Sequence, residues 1–187
     1  RKKFRSDTIR ADRVDAWFCM SETPNPYLQD EFHIRWSTLV PEAIEADIQL
    51  ALDGAQEKID ALCGKFEPSD QTFENTLLAL EETTEDLSRS WGLVGHLDSV
   101  RNSDELREAY NAMLPKVTQF YSRIPLNEAL WVRLKAYSET EEAAALTGVK
   151  KRFLDETLND FLRSGADLPQ EKKERLEEVQ SELARVT

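Results

Sequence analysis

RNSDELREAYNAMLPKVTQF, residues Arg101 to Phe120, carries the spacing on which the fold class turns. Leu106, Tyr110, Met113, Val117 and Phe120 recur at four-three-four-three intervals, which lays one apolar face along a helix. Asn102 and Glu105 stand three apart, as a capping box requires: one side chain bonds forward to the free N–H groups and the other reaches back. Pro115 falls inside the pattern, where it removes a hydrogen bond and crowds the preceding turn. The stretch therefore predicts a kinked helix that ends before Pro125.

The same period governs the sequence on either side. Pro41 suits a first helical turn, and Ile44, Ile48, Leu52, Ala55, Ile59 and Leu62 form one stripe that Gly64 stops. Phe66 to Asp70 reads as a loop. A second helix of nearly seven turns is expected from Thr72 toward Val100, through Phe73, Leu77, Leu80, Leu87, Trp91 and Val94. Gly92 and Gly95 near its end would let another backbone come close. After the Arg101–Phe120 helix, Asn127 can cap a fourth, with Leu130, Trp131, Leu134 and Tyr137 as its buried face. An alanine-rich turn from Glu141 to Leu146 leads into a fifth from about Thr147. Its core side is Phe153, Leu154, Leu158, Phe161 and Leu162, with Gly165 as terminator. Pro169 opens a sixth, striped by Leu176, Val179, Leu183 and Val186, and the stripe is still running at Thr187. No segment alternates with period two. The expectation is an all-α protein of about six amphipathic helices in an irregular bundle.

Three segments are distinguished. Residues 1–19 carry six Arg or Lys against Asp7, Asp12 and Asp15, with no apolar signal region. They read as an upstream extension or an artificially appended segment. A transit peptide is the competing reading, which the three acids oppose. Residues 20–40 read as an extended amino-terminal segment, and 41–187 as a helical domain whose last helix is cut in mid-pattern.

Composition narrows the function classes. The 187 residues hold 36 Asp or Glu against 24 Lys or Arg, a formal charge of −12, which opposes nucleic-acid binding because phosphate recognition needs clustered cations. No run approaches the ~20 apolar residues of a membrane span. Two cysteines, Cys19 and Cys63, make no disulfide framework and suit a reducing, cytoplasmic compartment, or an organellar one if residues 1–19 are a native targeting segment.

The residues themselves assemble no catalytic centre. Phosphate loop, dinucleotide fingerprint, G-x-S-x-G, C-x-x-C and H-E-x-x-H are all missing from the sequence. His33 and His96 are its only histidines, His33 in a surface loop and His96 read as a satisfied structural residue. Together with Cys19 and Cys63 they offer no short chelating pair of the kind structural zinc sites use. Glu81 to Asp86, EETTED, spreads its carboxylates around a helix axis and reads as a solvated face. Trp91, Trp131 and Tyr110 fall on apolar stripes and read as core. No catalytic, cofactor-binding or metal-binding residue is assigned in this chain.

One order of segments goes further: NPYL (Asn25–Leu28), LVPEAIEADI (Leu39–Ile48), TFENTLLALEE (Thr72–Glu82) and GHLDSVRNSDELREAYNAMLP (Gly95–Pro115). With NEAL (Asn127–Leu130) and DFLRSGADLPQEKKERLEEVQSEL (Asp160–Leu183), it resembles the amino-terminal region of the thimet-oligopeptidase-like M3 metallopeptidases. The resemblance runs from about Asn25 to Thr187. It implies the non-catalytic helical portion of a zinc-dependent oligopeptidase, walling a narrow channel that admits short peptides. The family's zinc ligands lie far downstream, so none is carried onto this chain, and the 187 residues alone are expected to be inactive. A stand-alone acidic helical interaction module is the alternative. If the helices normally lean on a catalytic lobe, the fragment's exposed apolar stripes would favour a homodimer, whereas a monomer would favour the module.

Overall fold

The computed structural model describes residues 24–64 and 66–186, which form helices and turns, with no strand among the described residues. Residues 1–19, and Cys19 with them, lie outside the described residues.

Helix α1, Pro41–Leu62, begins on its proline and buries Ile44, Asp47, Ile48, Ala51, Leu52, Ala55 and Ile59 along one face. Cys63 comes next and donates its N–H to the Ile59 carbonyl. A tight turn at Pro68–Asp70 leads to Thr72, which caps the next helical segment. The Asn75 N–H donates to Thr72 Oγ1 at 3.1 Å, and the Thr72 N–H donates to Asn75 Oδ1 at 2.9 Å.

The expected long second helix is broken into pieces. A wide π-turn spans Glu74–Leu78, α2 spans Ala79–Thr83, and α3 spans Glu85–Val100. The break at Thr84 has a local cause. Thr83 Oγ1 donates to the Leu80 carbonyl at 2.6 Å, and the Thr84 N–H turns to Glu81 instead, at 3.3 Å. A hydroxyl has taken the carbonyl that the next helical N–H needed.

Gly92 and Gly95 also depart from expectation, since a Cβ added at either would meet nothing within 4 Å. The packed face of α3 is Leu87, Ser90, Val94 and Leu97, and both glycines lie off it. Fully buried Ser90 is the small residue on that face, its hydroxyl donating to the Asp86 carbonyl at 2.8 Å.

Helix α4, Asp104–Arg123, buries Leu106, Ala109, Met113 and Val117, with Tyr110 and Phe120 partly covered. Its cap is Ser103, whose hydroxyl accepts the Leu106 N–H at 3.2 Å, and not Asn102. The helix begins one residue later than a box from Asn102 would require, which leaves Glu105 too early to close it. Pro115 sits inside this helix on an exposed face. The chain stays α-helical to Arg123 and ends ahead of Pro125, as the spacing predicts.

Asn127 caps α5, Glu128–Ser138, by accepting the Leu130 N–H at 3.1 Å. The alanine-rich segment is a short helix, α6, Glu141–Ala145, capped by Thr140. Helix α7, Gly148–Arg163, buries Leu154 and Phe161 and leaves Leu162 42% exposed, so Leu162 is not core. Gly165 ends it in a left-handed conformation, φ 97°. The Gly165 N–H donates to Leu162 and the Ala166 N–H to Phe161, the paired bonds of a Schellman cap. Helix α8, Gln170–Val186, packs against α4 but shows much of its stripe to solvent: Val179 is 45% exposed and Leu183 59%.

Two buried clusters organise these elements. Tyr27, α1, α3 and α4 form the first; the end of α1, the π-turn, α5, α7 and Ala166 form the second. Phe120 of α4 packs against both, which ties them into one helical body. Trp91 stacks on Tyr110 at 4.9 Å and Trp131 on Phe161 at 6.3 Å, each partly buried at a cluster's edge.

Candidate functional site

The segment before α1 is the least regular part of the described chain and carries its most unusual polar contacts. Residues 24–40 run with two tight turns, Pro26–Leu28 and Trp36–Thr38, against α1 and α3. Asn25 enters the first turn at φ 52°, a left-handed conformation that asparagine tolerates better than most residues. That turn drives Tyr27 inward until it has no exposed surface.

Tyr27 then meets a buried acid. Its N–H donates to Asp47 Oδ2 at 2.8 Å, and its hydroxyl donates to the Val40 carbonyl at 3.3 Å. Asp47 is only 2% exposed. Burial holds its carboxyl above the usual aspartate range, against the opposing pull of the Tyr27 N–H. Burial, followed by the Asp47 and Glu42 charges, pushes the Tyr27 phenol up to about 12. Outside this pocket the segment is held by ion pairs. Arg89 of α3 bonds Asp30 and also Asp86, the latter at 3.1 Å; Lys58 of α1 reaches Asp86 at 2.8 Å; Arg35 pairs with Glu31 at 2.6 Å. These pairs are solvent-facing and each contributes at most about 1 kcal/mol.

A second polar node lies at the far end of α1. Arg133 of α5 donates through Nη1 to the Leu62 carbonyl at 2.9 Å and through Nη2 to the Asn75 carbonyl at 3.1 Å. Its guanidinium also stands over the Phe66 ring at 5.0 Å. One side chain thus joins the end of α1, the π-turn and α5. Beside it, Cys63 Sγ approaches Asn127 Oδ1 at 3.8 Å, and burial raises the thiol's pKa. Glu142 of α6 accepts the Phe73 N–H at 3.2 Å, and burial, with the Glu142 charge next, pushes the Tyr137 phenol up to about 12.

The histidines are not brought together. His33 is exposed against Phe32, ring centroids 5.0 Å apart. His96 is exposed on α3 against Trp36 at 5.2 Å, a surface ring contact rather than the satisfied structural residue the sequence suggested. Among the described residues no three of His, Cys, Asp or Glu converge as a metal site would require. Of the EETTED run, Glu81, Glu82, Glu85 and Asp86 are solvent-exposed, as expected for a charged face, while Thr83 is buried.

Sequence reading missed Tyr27, Asp47 and Arg133. A signal existed for one of them: Asp47 stands beside Ile48 and three residues after Ile44, a charge on an apolar stripe. Nothing local marks Tyr27 or Arg133, whose partners lie 20, 58 and 71 positions away.

Comparison with known proteins gives a consistent picture. Residues 48–173, more than half of the chain, match the family described as "Neurolysin/Thimet oligopeptidase, N-terminal domain". Oligopeptidase A of Escherichia coli (strain K12) is 32% identical over 149 residues, 80% of this chain and 22% of that protein. Oligopeptidase A of Haemophilus influenzae is 31% identical over 160 residues, 86% of this chain and 23% of that protein. The Salmonella typhimurium oligopeptidase A is 29% identical over 160 residues, with the same coverage. The chain spans about a fifth of the length of the curated relatives it matches.

Proposed function

This chain belongs to the family of neurolysin/thimet oligopeptidase N-terminal domains, the amino-terminal region of M3 oligopeptidases, and from that premise we propose that it is the non-catalytic helical part of a zinc-dependent oligopeptidase. In that role it walls the channel that restricts the enzyme to short peptides. The observation that carries the reading is the family match, which runs from within α1 to the start of α8 and takes in most of both buried clusters.

The fold suits a wall. The two clusters share Phe120, and Arg133 of α5 bonds carbonyls at the end of α1 and in the π-turn, so the helices are tied into one body. The charged outer face, at −12 for the chain, favours solubility and disfavours nucleic acid as a partner. No described helix is long and apolar enough to cross a membrane. A cytoplasmic location fits this reading and is checked by fractionating cells.

Zinc in a peptidase polarises the scissile carbonyl and lowers the pKa of the attacking water. The described residues do not fit a zinc site, since His33 and His96 each lean on an aromatic ring at the surface and no third ligand converges on either. No chemical step is therefore assigned to this chain.

The test is direct. The polypeptide from the complete reading frame should carry H-E-x-x-H and cleave a short fluorogenic peptide, with cleavage lost on chelation and restored by zinc. The 187-residue chain should cleave nothing under either condition. Activity from the chain alone, or a chelator-insensitive complete protein, refutes the reading.

A further inference from the structure

Polar atoms shut away from solvent carry information when no protein group meets them. Gln71 is only 4% exposed, and no described residue bonds its Nε2 or its Oε1. Tyr137 has no exposed surface, and its hydroxyl is unpartnered among the described residues as well. Glu142 supplies a third such group: Oε1 accepts the Phe73 N–H at 3.2 Å, while no described residue bonds the buried Oε2. Each orphan of this kind would weaken folding roughly 5- to 150-fold, so three in one region call for a common answer.

The fold gathers them. Tyr137 lies on α5 and Glu142 on α6, close enough that the carboxylate's charge, after burial, helps to raise the phenol's pKa. The phenol therefore keeps its proton at neutral pH and has a donor to place. Gln71 joins the Pro68–Asp70 turn to the π-turn, and both of these pack on α5. Two residues further on, Phe73 carries the N–H that Glu142 accepts.

Each group is also held in place by bonds elsewhere. Asn75 fixes the backbone on both sides of Gln71, accepting the Thr72 N–H at 2.9 Å and donating to the Asp70 carbonyl at 2.8 Å. Phe73 anchors the Glu142 carboxylate, and the second buried cluster packs around the Tyr137 ring. The three side chains are complementary in chemistry and are held short of direct bonds.

We propose that Gln71, Tyr137 and Glu142 form a buried water-binding site, in which one ordered water accepts the Tyr137 O–H and donates to Glu142 Oε2 and Gln71 Oε1. A second water accepts from Gln71 Nε2. Water fits because it donates two bonds and accepts two within the volume of one oxygen. The Glu142 charge disfavours an anion here, and the amide N–H groups with the protonated phenol disfavour a bare cation. The site links α5, α6 and the chain ahead of the π-turn, and it stands whether or not the oligopeptidase reading holds.

A crystal structure of the 187-residue chain that resolves ordered solvent should show a water about 2.7–3.2 Å from Tyr137 Oη, Glu142 Oε2 and Gln71 Oε1. That water should be lost in Tyr137→Phe. A direct bond from Tyr137 or Gln71 to Glu142, with no water between, overturns the proposal. Urea unfolding reads the site independently. Tyr137→Phe and Gln71→Leu should each raise the unfolding constant about five- to tenfold. The double variant should fall short of the product of the two by at least about threefold, because both lose the same water. Effects that simply multiply overturn the shared site. A Gln71→Leu chain as stable as the parent, or more so, means that the amide was never satisfied and overturns it too.

Discussion

Replacing Asp47 in two ways separates its hydrogen bond from its charge. Asp47→Ala removes the acceptor and leaves the Tyr27 N–H, 2.8 Å from Asp47 Oδ2 and fully buried, without a partner. An orphaned buried donor costs roughly 1–3 kcal/mol, and in a protein of this size each kcal/mol moves the thermal midpoint by about 2–4 °C. The alanine variant should therefore melt about 2–12 °C lower. Asp47→Asn keeps an acceptor oxygen and removes the charge. Burial raises the Asp47 pKa in the folded state, so the folded protein holds its proton more tightly than the unfolded chain. Stability on account of this group therefore falls as pH rises from the ordinary aspartate value, near 4, through the raised folded value, and the penalty is fully present only above that value. The asparagine variant should match or exceed the parent at pH 7, and its advantage should shrink on acidification toward pH 4. Chemical unfolding of the three proteins between pH 4 and 8 measures this. An asparagine variant as damaged as alanine, or one whose advantage grows in acid, refutes the argument.

Two further substitutions test the fold. Gly165→Ala should cost roughly 1–2 kcal/mol, because φ 97° disfavours an L side chain and the new Cβ would lie 2.8 Å from Leu168 Cδ1, whereas Gly95→Ala, in open space within α3, should gain up to about 1 kcal/mol; equal signs in thermal melts would refute the glycine assignments. Arg133→Met should cost about 2 kcal/mol by removing the bonds to the Leu62 and Asn75 carbonyls, and Arg133→Lys should recover less than half of that, since an ammonium cannot span both carbonyls as a fork does; full recovery by lysine in urea unfolding would mean that charge, not geometry, matters.

The helices were legible because their signal is local. A stripe such as Ile44, Ile48, Leu52, Ala55 and Ile59 is fixed by the helical period, and its burial results once any partner is available. Caps behave in the same way when the competing residues are few, as at Asn127. They fail by one position when neighbours compete: Asn102 and Ser103 are both good caps, and only the start of α4 decides between them. The Thr84 break was hidden for a related reason. Thr83 and Thr84 are tolerable inside a helix, and nothing in their spacing tells whether Thr83 Oγ1 will take the Leu80 carbonyl.

The polar nodes are a different kind of information. Tyr27 joins Asp47 across 20 positions, and Arg133 reaches Asn75 across 58 and Leu62 across 71, so no window of sequence contains both partners. What sequence does hold is the cost of the unpaired residue: a carboxylate on the apolar stripe of α1 is too expensive to bury without a donor, so Asp47 requires one from somewhere. The stripe gives the need and the fold supplies Tyr27.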